Sequence, residues 1–145
     1  MDSSRYKFRG KRVDNGEWVK GWYLVYGKQH FITNFANRDS FLGGFERVIP
    51  ESVGQNTGFK DREGKDIYGK DIVKLCYGIP PTFDTLLIEY ADDETVGDIS
   101  VSGWWMRNIR PNGVSGSLCK TYENDLEIIG NATDNPELLT EKSHA

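Results

Sequence analysis

Residues 54–75 read GQNTGFKDREGKDIYGKDIVKL. Four glycines and nine charged residues surround Ile67, Tyr68, Ile72, Val73 and Leu75. Glycine-rich loops can cradle phosphate and clustered carboxylates can hold calcium, so the spacing has to decide. A phosphate-binding loop needs GxxxxGK[ST], because its lysine reaches the phosphates and its hydroxyl holds Mg²⁺. Here Gly58 and Gly64 stand one residue too far apart, Asp66 replaces the hydroxyl, and no helical pattern follows. An EF-hand loop counted from Asp61 has Asp66 where glycine belongs and Ile72 where the closing Glu belongs. The stretch reads instead as strand, turn and strand. Asp61 opens a polar turn that Gly64 closes, and Ile67 starts an inward-facing series. Tyr68 and Asp71 bracket a second tight turn at Gly69-Lys70, where the Asp71 carboxylate is placed to accept backbone N–H groups.

The same grammar repeats on either side of this stretch. YKFRGKRV and EWVKGWYLVY flank Asn15-Gly16, a hairpin signal because both residues tolerate positive φ. They predict strands over 5–13 and 17–26, with Trp18 and Trp22 on one face unless Gly21 marks a bulge. QHFITNF is a third strand, and Phe45–Ile49 a further extended piece beyond an irregular connector. Downstream, KDIVKLCY and TLLIEY are strands separated by Pro80-Pro81. ADDE reads as a turn before a weak strand around DISVSGWWM, and DLEIIGN is a last strand. DNPELLTEK predicts a short C-terminal helix with Asn135 as its cap and Pro136 in its first turn. Short strands at close spacing with almost no helical period predict a mainly β protein, either a small barrel or two packed sheets.

A chain of 145 residues suits one domain or two small lobes. The pattern divides into an N-terminal hairpin lobe with its connector (1–50), a β-rich lobe (51–139) and a tail (140–145). No apolar run approaches the roughly 18 residues that span a bilayer. The N-terminus has no apolar segment of a secretory signal, so the expected compartment is the cytoplasm. Cys76 and Cys119 form no CxxC pattern. Their spacing leaves a disulfide open, but reduced thiols fit the expected compartment better.

The net charge of −4 argues against tight nonspecific nucleic-acid binding. Arg5, Lys7, Arg9 and Lys11 alternate along the first strand, so they form a candidate anion-binding face as well as an ordinary solvated one. His30 and His144 are the only histidines. Neither a Ser-His-Asp site nor a Cys-His site can be assembled without His30, and a lone histidine beside FITNF is more often structural. Asp92, Asp93 and Glu94 are adjacent, which spreads them into water rather than around a metal. No catalytic, metal or cofactor residue is therefore assigned. Tryptophan is abundant, at four residues. Trp104 and Trp105 point to opposite faces of a strand. With Met106 and Arg107 they form a candidate partner-binding cluster.

Three blocks carry a resemblance. VIPESVGQNTGFKDREGKDIYGKDIVKL (Val48–Leu75) resembles the central signature of the YopX family of phage and prophage proteins. LEIIGNATDNPELL (Leu126–Leu139) resembles that family's closing block, and YKFRGKRVDNGEWVKGW its opening hairpin. One departure stands out: the family usually has Gly-Asp before Ile-Val, and this chain has Gly69-Lys70-Asp71. The resemblance implies an SH3-like barrel in the second half, self-association, a phage or prophage origin and action in the host cytoplasm. It brings no catalytic residue. The expected function is a non-enzymatic protein-interaction module with a host or phage protein as partner. The alternative is a binder of a small anionic ligand or nucleic acid. No cofactor and no membrane partner is expected.

Overall fold

A computed structural model describes residues 7–33, 45–96, 98–111 and 113–140. Arg5, the Gly43-Gly44 connector and the tail beyond 140 lie outside these. The protein is mainly β and contains two antiparallel sheets. Among the described residues, helix is limited to single 3₁₀ turns at Pro50–Ser52, Lys120–Tyr122 and Pro136–Leu139. No ladder among the described residues closes either sheet into a ring.

The chain divides into two compact units, one ending at Gly58 and the other starting at Phe59. The first unit holds β1 (Phe8–Lys11), β2 (Trp18–Tyr26), β3 (Gln29–Thr33), β4 (Phe45–Arg47) and the start of β5 (Gly54–Lys60), in the order β4-β3-β2-β1-β5. Gly54 and Gln55 pair with Arg9 and Phe8, which ties the start of β5 into the first unit. The signature stretch thus begins inside the first unit. Ile32 and Val48 form its buried centre at 1% exposure each. They close over Gly10, where a Cβ would lie 3.0 Å from both side chains.

The first hairpin turns at Asn15-Gly16, with one difference from the expectation. Only Gly16 has a positive φ, at 72°. Asn15 contributes its side chain instead, accepting the Glu17 N–H at 3.0 Å. The loop is tied off by Arg12 N–H to the Glu17 carbonyl, so it is longer than a two-residue turn.

The second unit holds β6 (Asp66–Tyr68), β7 (Asp71–Tyr77), β8 (Thr82–Val96), β9 (Ile99–Asn108), β10 (Gly116–Ser117) and β11 (Leu126–Asn131). Its five-stranded sheet runs β10-β9-β8-β7-β11. Alternate residues of its strands, Val73, Leu86, Ile88, Met106 and Leu126, converge with Ile67 and Leu118 into the core. ADDE is not a turn. Between Ala91↔Gly103 and Glu94↔Val101 the β8 strand carries two residues and β9 one, so Asp92-Asp93 sits in a bulge and the strand continues to Val96. A bulge absorbs the polar pair without ending the ladder, which a charge pattern alone does not reveal.

The terminal helix shrinks to one 3₁₀ turn, and Asn135 does not cap it. Its side-chain oxygen accepts the Asn131 N–H at 3.2 Å instead, tying the turn back to β11.

The Gly69-Lys70 turn explains the departure from the family pattern. The left-handed position falls on Lys70, with φ 73°, and Gly69 does not take it. Both peptide groups of Lys70 are fixed, its N–H by the Ile88 carbonyl at 2.8 Å and its carbonyl by the Ala132 N–H at 2.9 Å. The residue cannot relax out of this region without losing both bonds. A side chain there costs about 1 kcal/mol relative to glycine, partly offset by the greater freedom of an unfolded glycine. Lys70→Gly is therefore expected to raise the unfolding free energy by about 0.5 kcal/mol, and Lys70→Val to lower it. Urea unfolding of the two variants checks both signs.

Candidate binding site

The second unit carries a cleft of about 260 Å³ on the face of its sheet. Leu75, Leu86 and Met106 form its floor, and Tyr77, Val114 and Tyr122 line it further out. The floor follows from strand alternation: Leu75, Leu86 and Met106 project to the core side. Val114 is 81% exposed, so part of the wall is an apolar side chain in water. Exposed apolar surface beside a preformed concavity is the usual composition of a site that receives another apolar group.

At one end of this cleft sits Asp84, which is buried. Its register partner is Leu75, so the strand pattern turns it inward with Leu86 and Ile88. A buried carboxylate needs compensation. Tyr77 donates its phenol O–H to one Asp84 oxygen at 2.9 Å, and the Arg110 guanidinium pairs with the other. The Arg110 backbone is held in turn by its N–H to the Asn108 side chain at 2.9 Å. The hydrogen bond to Asp84 raises the Tyr77 phenol above its ordinary value of 10.0, because deprotonation would leave two anions in contact. A raised folded-state value means that the bond's stabilisation is complete below pH 10 and disappears as pH rises past it. Tyr77→Phe should therefore be less stable than the parent at neutral pH. The difference should shrink above pH 10, as measured by urea unfolding across a pH series.

The residues singled out in the sequence are distributed differently. Met106 is 3% exposed and belongs to the core and the cleft floor. Trp104 packs against the core and meets Tyr90 edge-on at 5.3 Å. Trp105 lies half-buried opposite Glu89. Arg107 is exposed and paired with Glu89 at 2.6 Å. Trp104 and Trp105 thus alternate across the sheet, and neither lines the cleft.

In the first unit, Lys7 is exposed, and Arg9 lies with its guanidinium 4.9 Å from the centre of the Trp18 ring. Lys11 faces Trp18 across the β1–β2 ladder, and Arg9 faces Lys20. Arg9 and Lys11 therefore share a basic face with Trp18 and Lys20. His30 pairs with the Tyr23 hydroxyl and stacks on its ring at 5.7 Å. Burial raises the Tyr23 phenol. Cys76 and Cys119 are free thiols. Among the described residues no group of three or more His, Cys, Asp or Glu side chains could hold a metal, and no helix is long and apolar enough to cross a membrane.

Sequence reasoning missed Tyr77, Asp84, Arg110, Val114 and Tyr122. One signal was present. In TFDTLLIEY, Asp84 has the parity of Leu86 and Ile88, and an acid in register with core residues must be buried with partners.

The fold and the cleft define a two-unit antiparallel β protein with an apolar-floored concavity in its second unit. The profile of a family described as YopX protein matches residues 7–140, and the chain belongs to that family. No curated protein matches it.

Proposed function

We propose that the protein is a non-enzymatic interaction module of a phage or prophage, acting in the host cytoplasm and able to self-associate. It engages a host or phage protein by accepting an apolar side chain of that partner. The observation that carries this reading is the cleft over Leu75, Leu86 and Met106, with Val114 standing exposed at its wall. A partner's Leu or Phe side chain placed there gains contact with three core residues, which suits a hot-spot anchor.

Val114→Glu tests it. Val114 is too exposed to matter for stability, so the variant should fold with an unfolding free energy within about 0.5 kcal/mol of the parent. A carboxylate at the wall should reduce capture of the partner from host lysate at least tenfold. Equal capture by the parent and the variant, or no capture by either, would overturn the reading.

A second reading, as a binder of nucleic acid or a small anion, draws on the first unit. Arg9 and Lys20 stand directly opposite each other, which concentrates positive charge on this face. An anion on this face would meet three cationic side chains, Arg9, Lys11 and Lys20, and Trp22, 47% exposed, stands further along β2 as an aromatic surface for a base. A thermal-shift titration with single-stranded DNA at low salt decides it, since an unchanged melting temperature removes the case.

A further inference from the structure

The Asp84–Arg110 ion pair is unevenly buried. The Asp84 side chain is 3% exposed and that of Arg110 is 43% exposed. A pair buried in this way presents its cationic half to solvent and hides its anionic half. Asp84 also accepts the Tyr77 hydroxyl, so each of its two oxygens has a partner. Its effect on Arg110 is to hold the guanidinium in one orientation. A planar cation anchored through one terminal nitrogen carries further N–H donors in a rigid arrangement that matches an oxyanion.

A second cleft, of about 240 Å³, opens at this exposed edge. It is lined by Phe83, Thr85, Ile109 and Arg110, with Asp84 as its shared wall. Thr85 supplies a hydroxyl, and its amide neighbourhood is fixed because Ile109 N–H donates to the Thr85 carbonyl at 3.1 Å. A second cation stands beside the cleft. Lys74 faces Thr85 across the β7–β8 ladder, and its ammonium lies 4.2 Å from the centre of the Phe83 ring. Two cations, a hydroxyl and an exposed aromatic ring thus border one concavity.

We propose that this cleft is an oxyanion site for a phosphate or carboxylate group, with Arg110 as the oriented fork and Lys74 as the second charge. Phe83, 53% exposed, offers a surface to a planar group attached to that anion. The site adjoins the cleft proposed for a partner's apolar side chain, with Asp84 lining both, but it takes a different group through Arg110 and Lys74.

Amide chemical shifts of the ¹⁵N-labelled protein at low ionic strength test it. The titrants are inorganic phosphate, acetate, adenosine monophosphate and, as the control, chloride at matched ionic strength. The expected result is saturable shifts at Thr85, Ile109 and Arg110 with phosphate, and at least threefold tighter binding of the nucleotide. Saturation by phosphate but not acetate assigns the site to phosphates. Saturation by both assigns it to oxyanions generally. Lys74→Gln, a substitution at a half-buried position with a charged tip, should weaken phosphate binding at least fivefold. Arg110→Lys should weaken it similarly while keeping the charge beside Asp84. Shifts no larger than those with chloride, or an affinity unchanged in Lys74→Gln, would overturn the proposal.

Discussion

Asp61→Ala should lower the unfolding free energy by about 3 kcal/mol, one of the largest losses expected from a single side chain on a turn. Asp61 is 4% exposed although its neighbours Arg62, Glu63 and Lys65 lie in water. One carboxylate oxygen accepts the N–H groups of Glu63 and Lys65, each at 2.9 Å. The other accepts the Ile128 N–H at 3.3 Å. The first two bonds close the turn, and the third reaches β11. Arg62 adds an N–H bond to the Leu126 carbonyl at 2.9 Å and an ion pair with Glu127. β11 is one of the two edge strands of its sheet among the described residues, and an open edge is a template for unwanted pairing. The turn covers that edge. Alanine would leave the Ile128 N–H without its acceptor and free the turn to move. Asp61→Asn keeps one acceptor oxygen and should cost roughly half as much. Urea unfolding of the two variants checks the order. A loss below about 1 kcal/mol in Asp61→Ala would show that the turn holds itself by its backbone bonds alone.

This function of Asp61 was half legible in the sequence. The polar turn was readable because Asp and Gly occupy the positions that a tight turn demands, and Gly64 N–H does donate to the Asp61 carbonyl at 3.0 Å. The same holds for Asp71, whose carboxylate accepts the Tyr68 N–H at 2.8 Å across the second turn. Both contacts span only a few residues, so local chemistry specifies them. The contact with Ile128 joins residues 67 apart in the chain and has no local signature. The cleft follows the same rule. Leu75, Leu86 and Met106 could each be placed on an inner face by alternation. Their convergence depends on the registers Leu75↔Asp84 and Ile88↔Met106, which the β8 bulge and the turn lengths fix. Charge patterning also misled where the backbone could absorb it. Asp92-Asp93 looked like a turn and is a bulge, because a ladder tolerates one extra residue more easily than it tolerates ending. The tryptophans attracted attention by their number. The wall of the cleft is built instead from Val114 and Tyr122, in a segment with no strong pattern of its own.

Gly21→Ala should cost about 3 kcal/mol or more, and the reason is backbone rather than side-chain packing. Residues 18–21 of β2 pair with β1, and residues 22–26 pair with β3. Gly21 is therefore the last residue on one ladder, immediately before the strand changes partner. No register shift occurs within either ladder. The glycine permits a close approach. A Cβ on Gly21 would overlap the Thr33 carbonyl oxygen and lie 2.9 Å from the carbonyl carbon. Both atoms are main chain and cannot rotate aside. The methyl must push β3 away from β2, which strains the Trp22↔Thr33 pair and disturbs the packing of Ile32, a residue 1% exposed at the centre of the first unit. Gly10 sets a useful comparison, because a Cβ there would meet only the side chains of Ile32 and Val48, which can shift by tenths of an ångström. Gly10→Ala should accordingly cost less than Gly21→Ala. Urea unfolding orders the two, and hydrogen exchange at the β2 and β3 amides locates the damage. Unchanged protection of those amides in Gly21→Ala would show that the two strands can separate by the width of a methyl group without cost.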